Sequence, residues 1–235
     1  MTATPRAVAR TAPTTRTAPL KLTRQAEDYL KAIYEIERSG DAAGTTHIAT
    51  RLGIASASAS GMVRRLARQG LVTVARYRGA RLTSRGRRIA LQMIRRHRIL
   101  ESYLVTRLGF GWDGVHEEAE RLEHAVSVDL IERMAAALGH PDADPHGAPI
   151  PRADGTVDDA RHRSLDDLAI GDATRVAGMS DEDSALLRYL GELGIRPGAS
   201  VRLVDRAPFE GPLTIAVGRM RHVIGSAVAR QVYVR

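Results

Sequence analysis

The chain has 235 residues, 43% of them hydrophobic, a formal net charge of +8 and no cysteine. That is enough apolar material for two or three small units with cores of their own. The lack of thiols excludes a disulfide framework, thiolate zinc sites and cysteine nucleophiles. With no apolar run of membrane-spanning length and no signal peptide, we expect a cytoplasmic protein without a membrane partner.

The charge is segregated along the chain. From Ala42 to Leu100 there are 13 Arg and no Lys, Asp or Glu, whereas from Glu101 to Glu192 there are 20 acidic residues against 8 Arg. The basic block reads as a surface for a polyanion and the acidic block as one for cations. A merely solvated face is the competing reading, and it suits short charge runs better than 59 residues without a carboxylate.

Residues 1–20, mostly Thr, Ala, Pro and Arg, have no apolar periodicity and read as a disordered basic arm. Tyr29, Leu30, Ile33, Tyr34 and Ile36 then repeat at helical spacing, and Gly40 and Gly44 close that helix. A short helix over Thr46–Leu52, a turn at Gly53 and a helix over Ala57–Gln69 follow, the last stopped by Gly70. Strands over Leu71–Ala75 and Ala80–Thr83 flank a glycine turn. Helix, short helix, turn, helix, hairpin is the order of a winged helix-turn-helix. Ser56, Ser58, Ser60, Arg64 and Arg65 suit a recognition helix that enters the major groove, and Arg76, Tyr77, Arg78 and Arg81 a wing on the backbone or minor groove. The competing reading of that fold is a protein-contact module.

Further on, one helix is expected from Ser84, as N-cap, to Leu108, and another from Trp112 to Leu138, whose stretch Leu130, Met134, Leu138 offers an apolar dimer surface. Residues 139–163, rich in Pro, Gly and Asp, read as a linker. Strands over Ala173–Ala177, Ser200–Asp205, Leu213–Val217 and Ala229–Val234, with a helix over Asp183–Leu193, suggest a small β-barrel.

The chemistry concentrates in Val115-His116-Glu117-Glu118-Ala119-Glu120-Arg121-Leu122-Glu123-His124. On a continuous helix His116, Glu120, Glu123 and His124 fall within an arc of about 100°, beside an apolar stripe of Val115, Ala119 and Leu122. His97 and Glu101 add an i, i+4 pair on the preceding helix. So many carboxylates beside imidazoles call for a cation. Ion pairing with Arg95, Arg96, Arg98 or Arg121 is the plainer alternative.

These motifs (Glu27-Asp28-Tyr29-Leu30, Arg96-His97-Arg98-Ile99-Leu100-Glu101, Val115 to His124 and Asp144-Pro145-His146-Gly147-Ala148-Pro149-Ile150-Pro151) resemble the iron- and manganese-dependent repressors related to the diphtheria toxin repressor. The likeness spans about residues 22–151, and more loosely the C-terminal unit. It implies a mainly α fold with a small β part: a winged helix-turn-helix DNA-binding domain over 21–92, a helical metal-binding and dimerisation domain over 93–151, a linker over 152–171 and an SH3-like, FeoA-like barrel over 172–235. It also implies two metal sites per subunit. Asp28, Glu120, Glu123 and His124 would form the primary one. His97, Glu101 and His116 would form the ancillary one, completed by Asp181, Glu182 or Asp183.

Iron-type relatives carry Met in place of Asp28 and Cys in place of Glu120, so the resemblance points to Mn²⁺, held by hard oxygen donors. Lys31 departs from the manganese-type pattern, where some members have Glu, and His116 restores an iron-type ancillary site. The expected function is a repressor that binds double-stranded operator DNA as a homodimer when loaded with Mn²⁺. The expected targets are metal-uptake genes, and no small-molecule substrate beyond the metal is expected. An Fe²⁺-dependent repressor and a metal-independent DNA-binding protein are the alternatives. A metallohydrolase fits worse, since neither a His-Glu-x-x-His helix nor a nucleophile elbow is present.

Overall fold

The computed structural model describes residues 22–75, 78–158 and 162–235. The expected arm over 1–20, and Arg76 and Tyr77 of the expected wing, lie outside them. Helix α1 (Arg24–Ser39) starts where the Thr23 hydroxyl accepts from the Ala26 N–H, and ends at Gly40 with φ +92°. Helices α2 (Thr45–Arg51) and α3 (Ser56–Arg68) and strands β1 (Val72–Ala75) and β2 (Gly79–Leu82) follow in the expected order. Tyr29, Leu30, Ile33, Ile48, Ala59, Val63 and Leu66 form their common core. The hairpin is seated on the turn before α2. Ala80 N–H donates to Ala43 O at 2.9 Å, and a side chain at Gly79 (φ +68°) would fall 2.6 Å from the Ala43 backbone.

Helix α4 (Ser84–Leu108) has Thr83 rather than Ser84 as its N-cap. Thr83 is extended and its hydroxyl accepts from Gly86 N–H at 3.1 Å, while Ser84 is already helical. Its 25 residues, about 37 Å long, serve two cores. Ala90, Leu91 and Ile94 join the core around α1–α3, and Ile99 and Leu100 pack with Ala119, Ile131 and Ala135.

The single helix expected over Trp112–Leu138 is two, α5 (Val115–Leu122) and α6 (Val128–Ala137). Between them the N–H groups of Ala125 and Val126 both turn back to Leu122 O, and Ser127 caps α6 by accepting from Leu130 N–H at 3.2 Å. The break leaves Glu123 and His124 on a turn rather than on a continuous helix face. Arg95 holds α6 to α4 by a two-pronged pair with Glu132, at 3.0 and 2.8 Å.

The expected linker over 139–163 is, in its first part, packed structure. Asp144 Oδ1 accepts from His146 N–H and Ala148 N–H, at 2.8 and 3.0 Å, and Arg98 donates to Pro149 O at 2.5 Å. His146 is fully buried. This loop lies against the C-terminal unit, where Met179 N–H donates to His146 O at 3.0 Å. A side chain at Gly147 would fall 2.1 Å from Ala177 O, and one at Gly178 2.8 Å from His146 O, so both glycines permit that approach.

The C-terminal unit contains β3 (Arg163–Ser164), β4 (Ala173–Met179), α7 (Ser184–Glu192), β5 (Ser200–Arg206), β6 (Leu213–Val217), β7 (Met220–Ile224), α8 (Ser226–Ala229) and β8 (Val232–Val234). They form one antiparallel sheet in the order β3-β8-β4-β5-β6-β7. Bulges at Val176/Gly178 and Leu203/Asp205 bend it around Val176, Leu187, Leu190, Leu203 and Ile215. β3 and β7 were not expected, and the last strand begins at Val232 because Ser226–Ala229 is helical. Among the described residues no helix is long and apolar enough to cross a membrane.

Candidate metal centre and DNA-facing surface

The two candidate ligand sets meet around the end of α5. Asp28, one turn into α1, reaches His124, with Oδ1 2.8 Å from Nε2. Glu27 Oε2 is 2.9 Å from Nδ1 of the same ring, and Glu123 Oε1 lies 3.6 Å from its Nε2. Asp28, Glu123 and His124 thus place donor atoms within 4.8 Å of one another. Glu120, expected with them, has turned to Lys31, whose ammonium is 2.5 Å from Glu120 Oε1 and 3.1 Å from Glu123 Oε2. Burial alone would lower the Lys31 pKa, but Glu123 and Glu120 raise it. Burial raises the Asp28 carboxyl above its usual value, against the pull of His124.

The expected ancillary trio is assembled as well. His97 Nε2 lies 2.9 Å from Glu101 Oε1 and 3.1 Å from His116 Nδ1. Of the three candidate carboxylates from the C-terminal unit, Asp181 joins them, 3.6 Å from His116 Nδ1. Glu182 instead pairs with Arg51, and Asp183 caps α7. Burial would lower both imidazoles, but Glu101 and Glu123 push His97 up to about 9, and Asp181 and Glu101 push His116 up to about 10. Burial likewise works against ionisation of Glu101, yet His97 and His116 hold it near 2.

Asp144 and His146, part of a resembling motif in the sequence but not among its expected ligands, belong to this cluster. Glu101, Asp144, His146 and Asp181 form a second set with donor atoms within 4.8 Å. His146 Nε2 sits 2.6 Å from Trp112 O. A carbonyl only accepts, so Nε2 carries a hydrogen and Nδ1 is the nitrogen that could serve a metal. That Nδ1 lies 3.9 Å from Glu101 Oε1 and 4.0 Å from Asp181 Oδ2, and it has no hydrogen-bond partner. Glu101 Oε2 is also buried without one, and Asp144 Oδ2 has only the Arg98 guanidinium, 3.5 Å away. Such orphaned atoms are costly in a closed interior. A divalent ion held by oxygen and imidazole donors satisfies them, so the residues present fit a hard or borderline transition metal.

On the far side of α3, Ser56, Ser58, Arg64 and Arg65 are exposed and Ser60 is half-buried, while Arg78 and Arg81 project from the wing. Among the described residues these four arginines form no ion pair, unlike Arg51, Arg87, Arg95 and Arg98. Exposed cations without an ion pair suit phosphates. Arg64→Ala should therefore lower the slope of log affinity against log salt by about one unit on duplex DNA. An unchanged slope in a salt titration would remove Arg64 from the interface.

Known proteins share this organisation. The "Iron dependent repressor, N-terminal DNA binding domain" matches residues 21–80, the "Iron dependent repressor, metal binding and dimerisation domain" residues 83–152, and the "FeoA domain" residues 163–235. The iron-dependent repressor IdeR of Mycobacterium tuberculosis is 33% identical over 220 residues, covering 88% of this chain and 95% of the relative. The diphtheria toxin repressor of Corynebacterium diphtheriae is 31% identical over 212 residues, covering 81% and 87%. A solved manganese-dependent transcriptional repressor in complex with manganese is 43% identical, with a TM-score of 0.84 over 89% of this chain and 98% of its own. With both halves of its repressor core matched in order and a relative aligned almost end to end, the chain belongs to the iron-dependent repressor family of metal-dependent transcriptional repressors.

Proposed function

We propose that this protein binds operator DNA as a homodimer when loaded with Mn²⁺, and so represses metal-uptake genes. The observation that carries the reading is the meeting of Asp28 on α1, in the DNA-binding unit, with His124 beyond α5, at 2.8 Å. Asp28, Glu123 and His124 would hold one ion, joined by Glu120 once it leaves Lys31. His97, Glu101, His116 and Asp181 would hold a second, with Asp144 and His146 as further donors. The ion supplies the positive charge these carboxylates need. Asp28 and His124 tie the DNA-binding unit to the helical unit, and their shared ligation fixes the angle between the two. In a dimer that angle sets the spacing of two α3 helices against half-sites on DNA. Of the expected pairing stretch Leu130, Met134, Leu138, Met134 packs against the core of the helical unit, whereas Leu130 is exposed beside Val128 on α6, and these two would contribute to pairing. The metal then acts by differential affinity for the DNA-competent arrangement.

The testing experiment is duplex binding at buffered free Mn²⁺, Fe²⁺, Co²⁺ and Zn²⁺ and in excess chelator. Binding should require metal and be strongest, relative to each ion's buffered level, with Mn²⁺. Equal binding in chelator would overturn the sensor reading. Activation by Fe²⁺ at lower free concentration than Mn²⁺, under anaerobic conditions, would replace manganese with iron.

Donor hardness supports manganese, since among these candidate ligands every donor is oxygen or imidazole nitrogen. The double substitution Asp28→Met, Glu120→Cys introduces two sulfur donors. It should raise the free Mn²⁺ needed for half-maximal DNA binding by on the order of tenfold relative to Fe²⁺ or Co²⁺. An unchanged ratio would show that these two positions do not set the preference.

A further inference from the structure

The C-terminal unit touches both other units through consecutive residues of one short loop. In Ser180-Asp181-Glu182-Asp183, between β4 and α7, each acidic side chain has a different partner. Asp181 faces His116, at 3.6 Å. Glu182 Oε1 lies 2.5 Å from Arg51 Nη2, and Asp183 Oδ1 accepts from Ala185 N–H and Leu186 N–H at 2.8 and 3.2 Å. The loop is held on its β4 side, where Met179 N–H donates to His146 O and Ser180 N–H to Gln231 O, at 3.0 and 2.9 Å, and on its other side by the Asp183 cap of α7. Asp181 and Glu182 therefore move together or not at all.

The body of the unit is seated on the helical unit. The Arg196 guanidinium stacks 4.4 Å over the Trp112 ring, and a side chain at Gly191 would meet that ring at 3.1 Å. Arg188 pairs with Asp113 at 3.4 Å. Against this anchored block, Arg51 is the last residue of α2, in the DNA-binding unit. Its guanidinium is braced from its own side by Glu35 of α1, at 2.8 Å, and so aimed at the C-terminal unit before Glu182 meets it.

We propose that the Glu182–Arg51 pair is a positioning contact through which the C-terminal unit holds the helix-turn-helix in its DNA-competent orientation, engaged together with Asp181 at the metal cluster. The arrangement that brings Asp28 to His124 is also the one in which this pair is closed. An ion drawn to Asp181 therefore favours both, and the helix-turn-helix is restrained at two points, through α1 and through α2. This proposal rests on metal-dependent DNA binding as described above.

The alternative role for Arg51 is a phosphate contact masked by Glu182, and the two roles predict opposite signs. The test uses the full-length chain and a duplex selected from random sequence by the wild-type protein with Mn²⁺. Affinity is read by fluorescence anisotropy and bound Mn²⁺ by electron paramagnetic resonance. Glu182→Gln should weaken DNA binding at saturating Mn²⁺ by about fivefold, as expected for an exposed ion pair lost twice per dimer. Its Mn²⁺ stoichiometry should match wild type. Arg51→Glu should weaken binding further, and combining it with Glu182→Arg should recover at least half of the loss, because the swapped guanidinium then faces Glu35 and the new carboxylate. A merely structural role would not produce that recovery. Unchanged or tighter binding by Glu182→Gln, or a swap no better than Arg51→Glu alone, overturns the proposal. If wild-type binding itself proves indifferent to chelator, the repressor reading fails instead, and this one with it.

Discussion

Replacing His124 with alanine will raise the free Mn²⁺ needed for half-maximal DNA binding by roughly 100-fold or more, whereas His116→Ala will raise it by about tenfold. His124 is the partner that Asp28 reaches from the DNA-binding unit, at 2.8 Å, and its other nitrogen faces Glu27 of the same helix. Removing the ring therefore removes both a donor and the link between α1 and the α5 turn. His116 sits in a richer set. With it gone, His97, Glu101, Asp144, His146 and Asp181 remain as donors around the same space. Anisotropy titrations in metal buffers separate the two variants, and urea unfolding in chelator checks that both fold. Equal losses at every metal concentration would overturn the division into two unequal sites.

What the sequence made legible follows the local rules of its signals. Gly40, Gly53 and Gly70 stop or turn the chain where periodicity also stops, so the DNA-binding unit reads cleanly. The α5–α6 break carries neither glycine nor proline. Apolar spacing runs on through Ala125 and Val126, and Ser127 looks like an interior residue until its hydroxyl is seen on Leu130 N–H. The loop after α6 misleads in the opposite sense. Pro, Gly and Asp report the absence of regular secondary structure, not the absence of packing, and His146 is buried by contacts from Trp112 and β4 that are remote in sequence. The strand β7 escaped because Arg221 and His222 interrupt its apolar pattern. Among the candidate ligands, His97, Glu101, His116, Glu120, Glu123 and His124 were legible from spacing, and Asp28 from the family resemblance alone. Their regrouping, with Glu120 turned from Asp28 to Lys31, depends on a residue 89 positions away.

Lys31→Met will destabilise the metal-free protein by about 3 kcal/mol, and the metal-loaded protein by clearly less. The ammonium is buried, with 8% of Lys31 exposed, and stands 2.5 Å from Glu120, 3.1 Å from Glu123 and 3.4 Å from His97 Nδ1. Glu123 is wholly enclosed. Burial alone would push its carboxyl up, but His97 and Lys31 hold it ionised. Removing the ammonium leaves that buried charge with His97 as its remaining close cation, and an uncompensated interior charge is what makes broken buried pairs costly. Methionine keeps much of the side-chain volume, so a cavity contributes little. When a divalent ion binds, its charge neutralises the same carboxylates and the missing ammonium matters less. Urea unfolding of wild type and variant, in chelator and in saturating Mn²⁺, gives the four free energies required. The double substitution Lys31→Met, Glu123→Gln, measured in chelator, removes both partners and should recover much of the loss. Equal destabilisation with and without Mn²⁺ would mean that Lys31 contributes packing rather than charge.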